Sequence, residues 1–248
     1  MANLDFSQVN ILLQQSDRLM KLVLLPGLDG TGQLFRWFLQ RYPGEARVIP
    51  LPEDGPQDHR ALAQRIRTQL PAEDFVLLAE SYSGLIAVHL MAMGMTQVKG
   101  VIFVASFLKS PNPWLLRLGM VAPLERPPHG LIPNIIYRSL ILGKQASDAL
   151  IREFLQVITQ LPPGLVKKRI RALKGLHAPS LEVDVPIFYL QAQQDRLISS
   201  DCWDDFKRRF PKAECYPMDG PHLLLQSQPK SASVLVAQLI CKCETRNI

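Results

Sequence analysis

Phe75-Val76-Leu77-Leu78-Ala79-Glu80-Ser81-Tyr82-Ser83-Gly84 is the stretch on which the reading of this chain turns. Five apolar residues make a short strand, and a helix is expected from Ser83 towards Met93. A serine held at the tip of the tight turn between them cannot fold back into the helix, so its hydroxyl stands out over the sheet edge. That arrangement is a nucleophile elbow, usually spelled G-x-S-x-G. Here Ala79 and Ser83 replace the two glycines. Both are small, as a crowded turn demands, and Gly84 lets the helix begin close to the strand. Read alone, a serine in this place more often caps the helix that follows. The rest of the chain changes that balance.

Outward from the elbow, strand and helix patterns alternate. Lys21–Leu25 is a β-rich run ending in Pro26-Gly27-Leu28-Asp29-Gly30-Thr31-Gly32, followed by a helix over 33–41. A strand over 46–51 precedes a helix over 57–70, where Leu62, Ile66 and Leu70 share one face. The helix after Ser83 is apolar nearly all round and therefore buried, and 98–105 is a further strand. An edge strand is also expected around Asn10–Leu13. Beyond Phe107 the rhythm breaks: prolines cluster and short helical patterns at 147–160 and 165–176 replace the alternation. It resumes with a strand over 186–191, a helix near 201–209, a strand over 213–217 and a last helix over 230–241. This order predicts an α/β fold, a mostly parallel sheet with helices on both faces. Residues 1–106 and 181–248 would form its core, and 107–180 a helical cap.

In an open α/β sheet, functional groups gather at the carboxyl ends of the strands. Gln193-Gln194-Asp195-Arg196 follows one late strand and Asp219-Gly220-Pro221-His222 the next. A serine, an acid and a histidine thus stand at three strand ends in that chain order. An imidazole can take the proton of a serine hydroxyl and return it to a leaving group. A carboxylate fixes the imidazole tautomer. Ser81 is the expected nucleophile, His222 the base and Asp195 the orienting acid. Asp219 and Asp201 are rivals for the last role. The oxyanion would be bound by the amides of Leu28 and Tyr82. His59 is expected on a surface helix, His89 in the core, and His129 and His177 in the cap.

The 248 residues carry a formal net charge of +6, unevenly placed. Between Phe107 and Ser180, 11 Lys/Arg face three acids, so the basic excess belongs to the cap. Trp114 and Tyr137, with Lys167, Arg169 and Arg171, are the substrate-binding candidates, an apolar slot with a positive rim. Such a rim suits an acidic acyl carrier protein presenting an acyl chain to the slot. The glycine-rich loop fits neither dinucleotide nor P-loop spacing. Neither metal, organic cofactor nor nucleic acid is expected. With no span-length apolar run, no signal pattern and four late cysteines without disulfide spacing, a cytoplasmic protein is the simplest reading.

Over nearly its whole length the chain resembles the α/β-hydrolase superfamily. The resemblance rests on Leu24-Leu25-Pro26-Gly27, the Ser81 elbow, Asp195-Arg196-Leu197-Ile198 and Gly220-Pro221-His222. Length, a helical cap after the sixth strand, and the short spacing from acid to histidine are similar to the pimeloyl-carrier-protein methyl ester esterases of biotin synthesis. Residues 25–32 also resemble the start of esterase/lipase-like acyltransferases. The likeness implies a serine carboxylesterase working through an acyl-enzyme. The alternatives are an acyltransferase or thioesterase on the same triad, or a catalytically weak ligand receptor on the same fold.

Overall fold

Alternate residues of the strands face opposite ways, and here both directions lead into apolar layers. The computed structural model describes residues 19–111, 120 and 138–246. Six strands, β1 (Lys21–Leu25), β2 (Ala46–Val48), β3 (Phe75–Glu80), β4 (Val98–Val104), β5 (Ile187–Ala192) and β6 (Glu214–Met218), form one sheet. Their order is β2-β1-β3-β4-β5-β6, and every pairing is parallel. Val23, Leu25, Leu77, Ala79, Val101, Phe103 and Tyr189 enter one buried cluster. Leu22, Leu24, Val76, Leu78, Ile102, Val104, Phe188 and Leu190 enter the other. A parallel sheet needs cover on both faces, which is why these strands read as continuous apolar runs.

The helices divide accordingly. Helices α1 (Arg36–Leu39), α2 (His59–Ile66) and α3 (Ser83–Ala92) follow β1, β2 and β3. After β4 come α4 (Asp148–Gln160) and α5 (Leu165–Ala172), then α6 (Cys202–Arg209) after β5, and α7 (Leu224–Ser227) and α8 (Pro229–Arg246) after β6. Helices α2, α3 and α6 contribute to the first cluster, and α1, α7 and α8 to the second. Asp58 caps α2 by accepting from Ala61 N, and Ser147 caps α4 by accepting from Leu150 N. The helix expected over 33–41 is instead a 3-10 turn at Gln33–Phe35 running into the single turn α1. Strand β2 ends at Val48, although Ile49 N still donates to Leu24 O.

In the described sheet the long insertion follows β4, and α4 and α5 within it pack differently. Helix α4 joins Leu34, Leu142 and Leu223 in a small third cluster beside the strand ends. Helix α5 instead sinks Leu165, Val166 and Ile170 into the first main cluster. The expected edge strand at Asn10–Leu13, and Trp114, Tyr137 and His129, lie outside the described residues. No disulfide joins Cys202, Cys215, Cys241 or Cys243. Among the described residues, no helix is long and apolar enough to cross a membrane and no His/Cys/Asp/Glu group could hold a metal ion.

The close approach of α3 to the sheet depends on Gly84. A Cβ there would lie 2.6 Å from Ser106 Cβ. Ser106 cannot yield, because its buried hydroxyl bonds the carbonyls of Ala79 and Val104. Alanine normally gains up to about 1 kcal/mol over glycine inside a helix. Overpacking a tight core costs about 1–3 kcal/mol. Gly84→Ala is therefore expected to be net destabilising, read as a lower midpoint in denaturant unfolding.

Candidate active site

Glu80, Val104, Leu190 and Tyr216 stand side by side across four strands, through the pairs Glu80↔Val104, Val104↔Leu190 and Leu190↔Tyr216. The chain leaves the sheet just past this row. Ser81 turns sharply there at φ 49°, in the left-handed region that non-glycine residues avoid. Its amide donates to Val104 O at 2.8 Å, and its carbonyl accepts from Gly84 N at 3.0 Å. These bonds hold a conformation that costs about 1–3 kcal/mol. Ser83, standing where the motif has glycine, donates its hydroxyl to Pro26 O. The substitution ties the elbow to the loop after β1.

Ser81 Oγ lies 2.8 Å from His222 Nε2, and His222 Nδ1 lies 2.7 Å from Asp195 Oδ2. An ionised carboxylate only accepts, so Nδ1 donates to Asp195 and Nε2 is left to accept from the Ser81 hydroxyl. Asp195 is itself held, its Oδ1 accepting from Leu197 N at 2.8 Å and Ile198 N at 3.0 Å. Two further bonds, Gln193 N to Met218 O and Gln194 N to Gly220 O, fasten the β5 loop to the β6 loop. Acid and histidine are thereby fixed to each other, though 27 residues apart. Ser81 and His222 are buried, 8% and 6% exposed. The two rivals for the acid role, Asp219 and Asp201, are exposed, and Asp219 accepts from Gln194 Nε2.

Burial by itself would lower the His222 pKa. The Asp195 carboxylate, its hydrogen bond and the charge of Glu80 outweigh burial and raise it above 6.5. Glu80 was within the elbow stretch but drew no role from the sequence. It is 2% exposed, and Gln226 Nε2 donates to its Oε2 at 3.2 Å. Its Oε1 has no hydrogen-bond partner among the described residues. Burial, with the charge of Asp29 adding, pushes its carboxyl up to about 7. The carboxyl one residue before Ser81 is thereby brought close to neutrality, with the charge of His222 favouring its anion.

The loop after β1 closes in a tight turn, with Gly30 N donating to Gly27 O at 3.1 Å. Leu28, an expected oxyanion donor, sits in that turn. Tyr82, the other, is buried, and its hydroxyl donates to Gln57 O. The substrate-binding expectations fare unevenly. Lys167 is half-buried and Arg171 exposed on α5. Arg169 is no part of a positive rim: it is 0% exposed and points inward beneath the β1 loop. Its spacing on α5, three residues after Val166 and four after Leu165, sets it on the face that packs into the core. His59, expected at the surface, is 3% exposed with its ring 4.3 Å from that of Tyr82, and burial lowers its pKa to about 4. Helical periodicity shows which residues share a face. It does not show that α2 lies under the elbow.

The sequence matches the family described as serine aminopeptidase, S33, over residues 41–219. The chain belongs to that family of hydrolases. Its fold is similar to a thermophilic esterase from Thermogutta terrifontis, at 17% identity, TM-score 0.73 and 92% coverage of each chain. A hydrolase from Oleispira antarctica superposes with TM-score 0.72 at 14% identity, covering 92% of this chain and 96% of that one. The esterase RhEst1 from a Rhodococcus species gives 0.71 at 18% identity and 90% of each. Among curated proteins, none matches the sequence. These likenesses show the α/β-hydrolase fold.

Glu80→Gln is expected to lower the His222 pKa, because the anion that favours the imidazolium is gone. The check is an imidazole titration by NMR, in which an unchanged midpoint would mean that His222 does not sense Glu80. Stability has its own sign. Folded Glu80 keeps its proton to about pH 7, whereas the ordinary value for a glutamate is 4.5. The folded state thus binds more protons between these values, and its stability falls as pH rises through them. The variant should lose that decline in denaturant melts.

Proposed function

We propose that the protein hydrolyses carboxylic esters through an acyl-enzyme on Ser81. The observation that carries this is the unbroken hydrogen-bonded chain from Ser81 through His222 to Asp195. Ser81 Oγ attacks the ester carbonyl as His222 Nε2 takes its proton. The tetrahedral oxyanion receives N–H donors from Leu28 and Tyr82. The C–O bond then breaks, and the alcohol leaves with the proton from His222. Water attacks the acyl-enzyme with His222 again as base, and the acid departs as Ser81 is restored. Asp195 holds the imidazole tautomer and stabilises the imidazolium throughout.

In the finer form of this reading, residues 107–180 are the cap over a core of 1–106 and 181–248. The substrate is an acyl methyl ester carried on an acidic acyl carrier protein. Its support is the basic excess of that segment, with Lys168 and Arg171 exposed on α5. Arg169 is spent inside the protein and adds nothing to the rim.

The nucleophile is tested by turnover of p-nitrophenyl and methyl esters. Ser81→Ala should lower kcat by about 10⁴-fold or more, and a fluorophosphonate should add to the wild-type chain at Ser81 by peptide mass. Faster turnover of an aminoacyl anilide than of any ester would overturn the ester reading. The finer form predicts that a carrier-linked methyl ester is preferred over the free one, that the preference fades with salt, and that Lys168→Glu/Arg171→Glu abolishes it. Equal rates on both, indifferent to salt, would remove the carrier.

A further inference from the structure

Arg169 is a fully buried cation whose hydrogen bonds, among the described residues, end on neutral oxygens. Its Nη1 donates to Leu28 O at 2.9 Å and Asp29 O at 2.6 Å, its Nη2 to Pro52 O at 3.1 Å, and its Nε to Gln57 Oε1 at 3.0 Å. Burying a guanidinium without a bonded carboxylate is costly, and burial pulls its pKa down. Leucine or methionine would fill the space on α5 without that cost. The arrangement of its partners is specific. Gln57 also accepts, through its backbone carbonyl, the hydroxyl of Tyr82, and its Nε2 donates to Asp54 O at 2.8 Å and Pro52 O at 3.2 Å. One buried network therefore grips both Leu28 and Tyr82, the two residues whose amides would bind the oxyanion.

The β1 loop is shaped to admit this side chain. Gly30 has φ 74°, and a Cβ there would fall 2.2 Å from Arg169 Nη1 and 2.7 Å from Cζ. The guanidinium occupies the space that any other residue at position 30 would fill. We propose that Arg169 is a positioning residue: from the insertion helix α5 it sets the carbonyl of Leu28, and through Gln57 the side chain of Tyr82, so that their N–H groups converge on the oxyanion. Nη1, bonded to both Leu28 O and Asp29 O, fixes the two peptide planes that follow the Leu28 N–H, and so the turn that aims it. The planar fork reaches several acceptors in fixed geometry, which an ammonium on a flexible stem cannot do. The insertion thus contributes to the chemistry by holding the oxyanion loop from behind. This rests on the reading of Ser81 as nucleophile.

The test compares wild type, Arg169→Met and Arg169→Lys, with active sites counted by fluorophosphonate labelling run to completion. Arg169→Met should lose about 10–100-fold in kcat per labelled site, with KM nearly unchanged. Arg169→Lys, which keeps the cation and stem, should recover part of that loss, and it reads the same ratios where the Met variant does not fold. A trifluoromethyl ketone reports the oxyanion directly. Ser81 Oγ bonds to its carbonyl carbon, the proton passes to His222, and the carbonyl electron pair becomes an alkoxide facing the two amides. Its affinity should fall with kcat, whereas the corresponding secondary alcohol should bind as before. Wild-type kcat per site in Arg169→Met, a loss carried by KM, or equal weakening of ketone and alcohol would each overturn the proposal. If wild type itself shows no Ser81-dependent turnover or labelling, the hydrolase reading fails instead, and the two failures are distinguishable.

Discussion

Ladder hydrogen bonds between β3, β4, β5 and β6 put Glu80, Val104, Leu190 and Tyr216 in one row, and the candidate site depends on that registry. Each strand end is held by its neighbours, so short loops beyond the row arrive at defined places. Ser81 needs one step past it, Asp195 five and His222 six. A slip of one residue in any pair would exchange the two faces of that strand and displace a member of the chain by about 3.3 Å, one residue's rise. Apolar cover on both faces makes such a slip expensive.

The edge is then rigidified by polar groups serving the backbone. Ser83 bonds Pro26, Asp195 gathers the amides of Leu197 and Ile198, and Arg169 gathers carbonyls from the β1 and β2 loops. The insertion reaches the same edge twice more. Leu223 N donates to Ile141 O beside His222, and Arg196 bonds Ser139 next to Asp195. Residues after β4 thus support the loops carrying Asp195, His222 and Leu28. Strain at Ser81 persists because its surroundings are over-determined.

Electrostatics at this edge pull in two directions. Burial penalises charge on Glu80 and His222 alike, and each relieves the other when the carboxylate and imidazolium coexist. The charge of Asp195, with its hydrogen bond, decides in favour of a protonatable imidazole. A second carboxyl behind the serine means that the proton inventory of the site changes near neutral pH.

The six described strands, their order along the chain and the meeting of Ser81, Asp195 and His222 at one sheet edge were legible locally. Unbroken apolar runs such as Phe75–Ala79 have one economical home, a two-sided parallel sheet, and loops after such strands share an edge. The helix after Ser83 showed its burial in the same way. What local pattern could not carry was the partner of each polar group. Arg169 lies in a basic run and reads as a surface residue until α5 is seen packed against the first cluster, where Gly30 leaves room for it 139 positions away in the chain. His59 and Glu80 hold the same lesson, since a titratable side chain's environment is made by elements distant in sequence. Periodicity along the chain encodes which faces are buried, and from that the fold follows. The contacts that orient Leu28, Tyr82 and His222 arise only when separate loops and the insertion close on one another, because no short-range signal specifies which oxygen a buried guanidinium will meet.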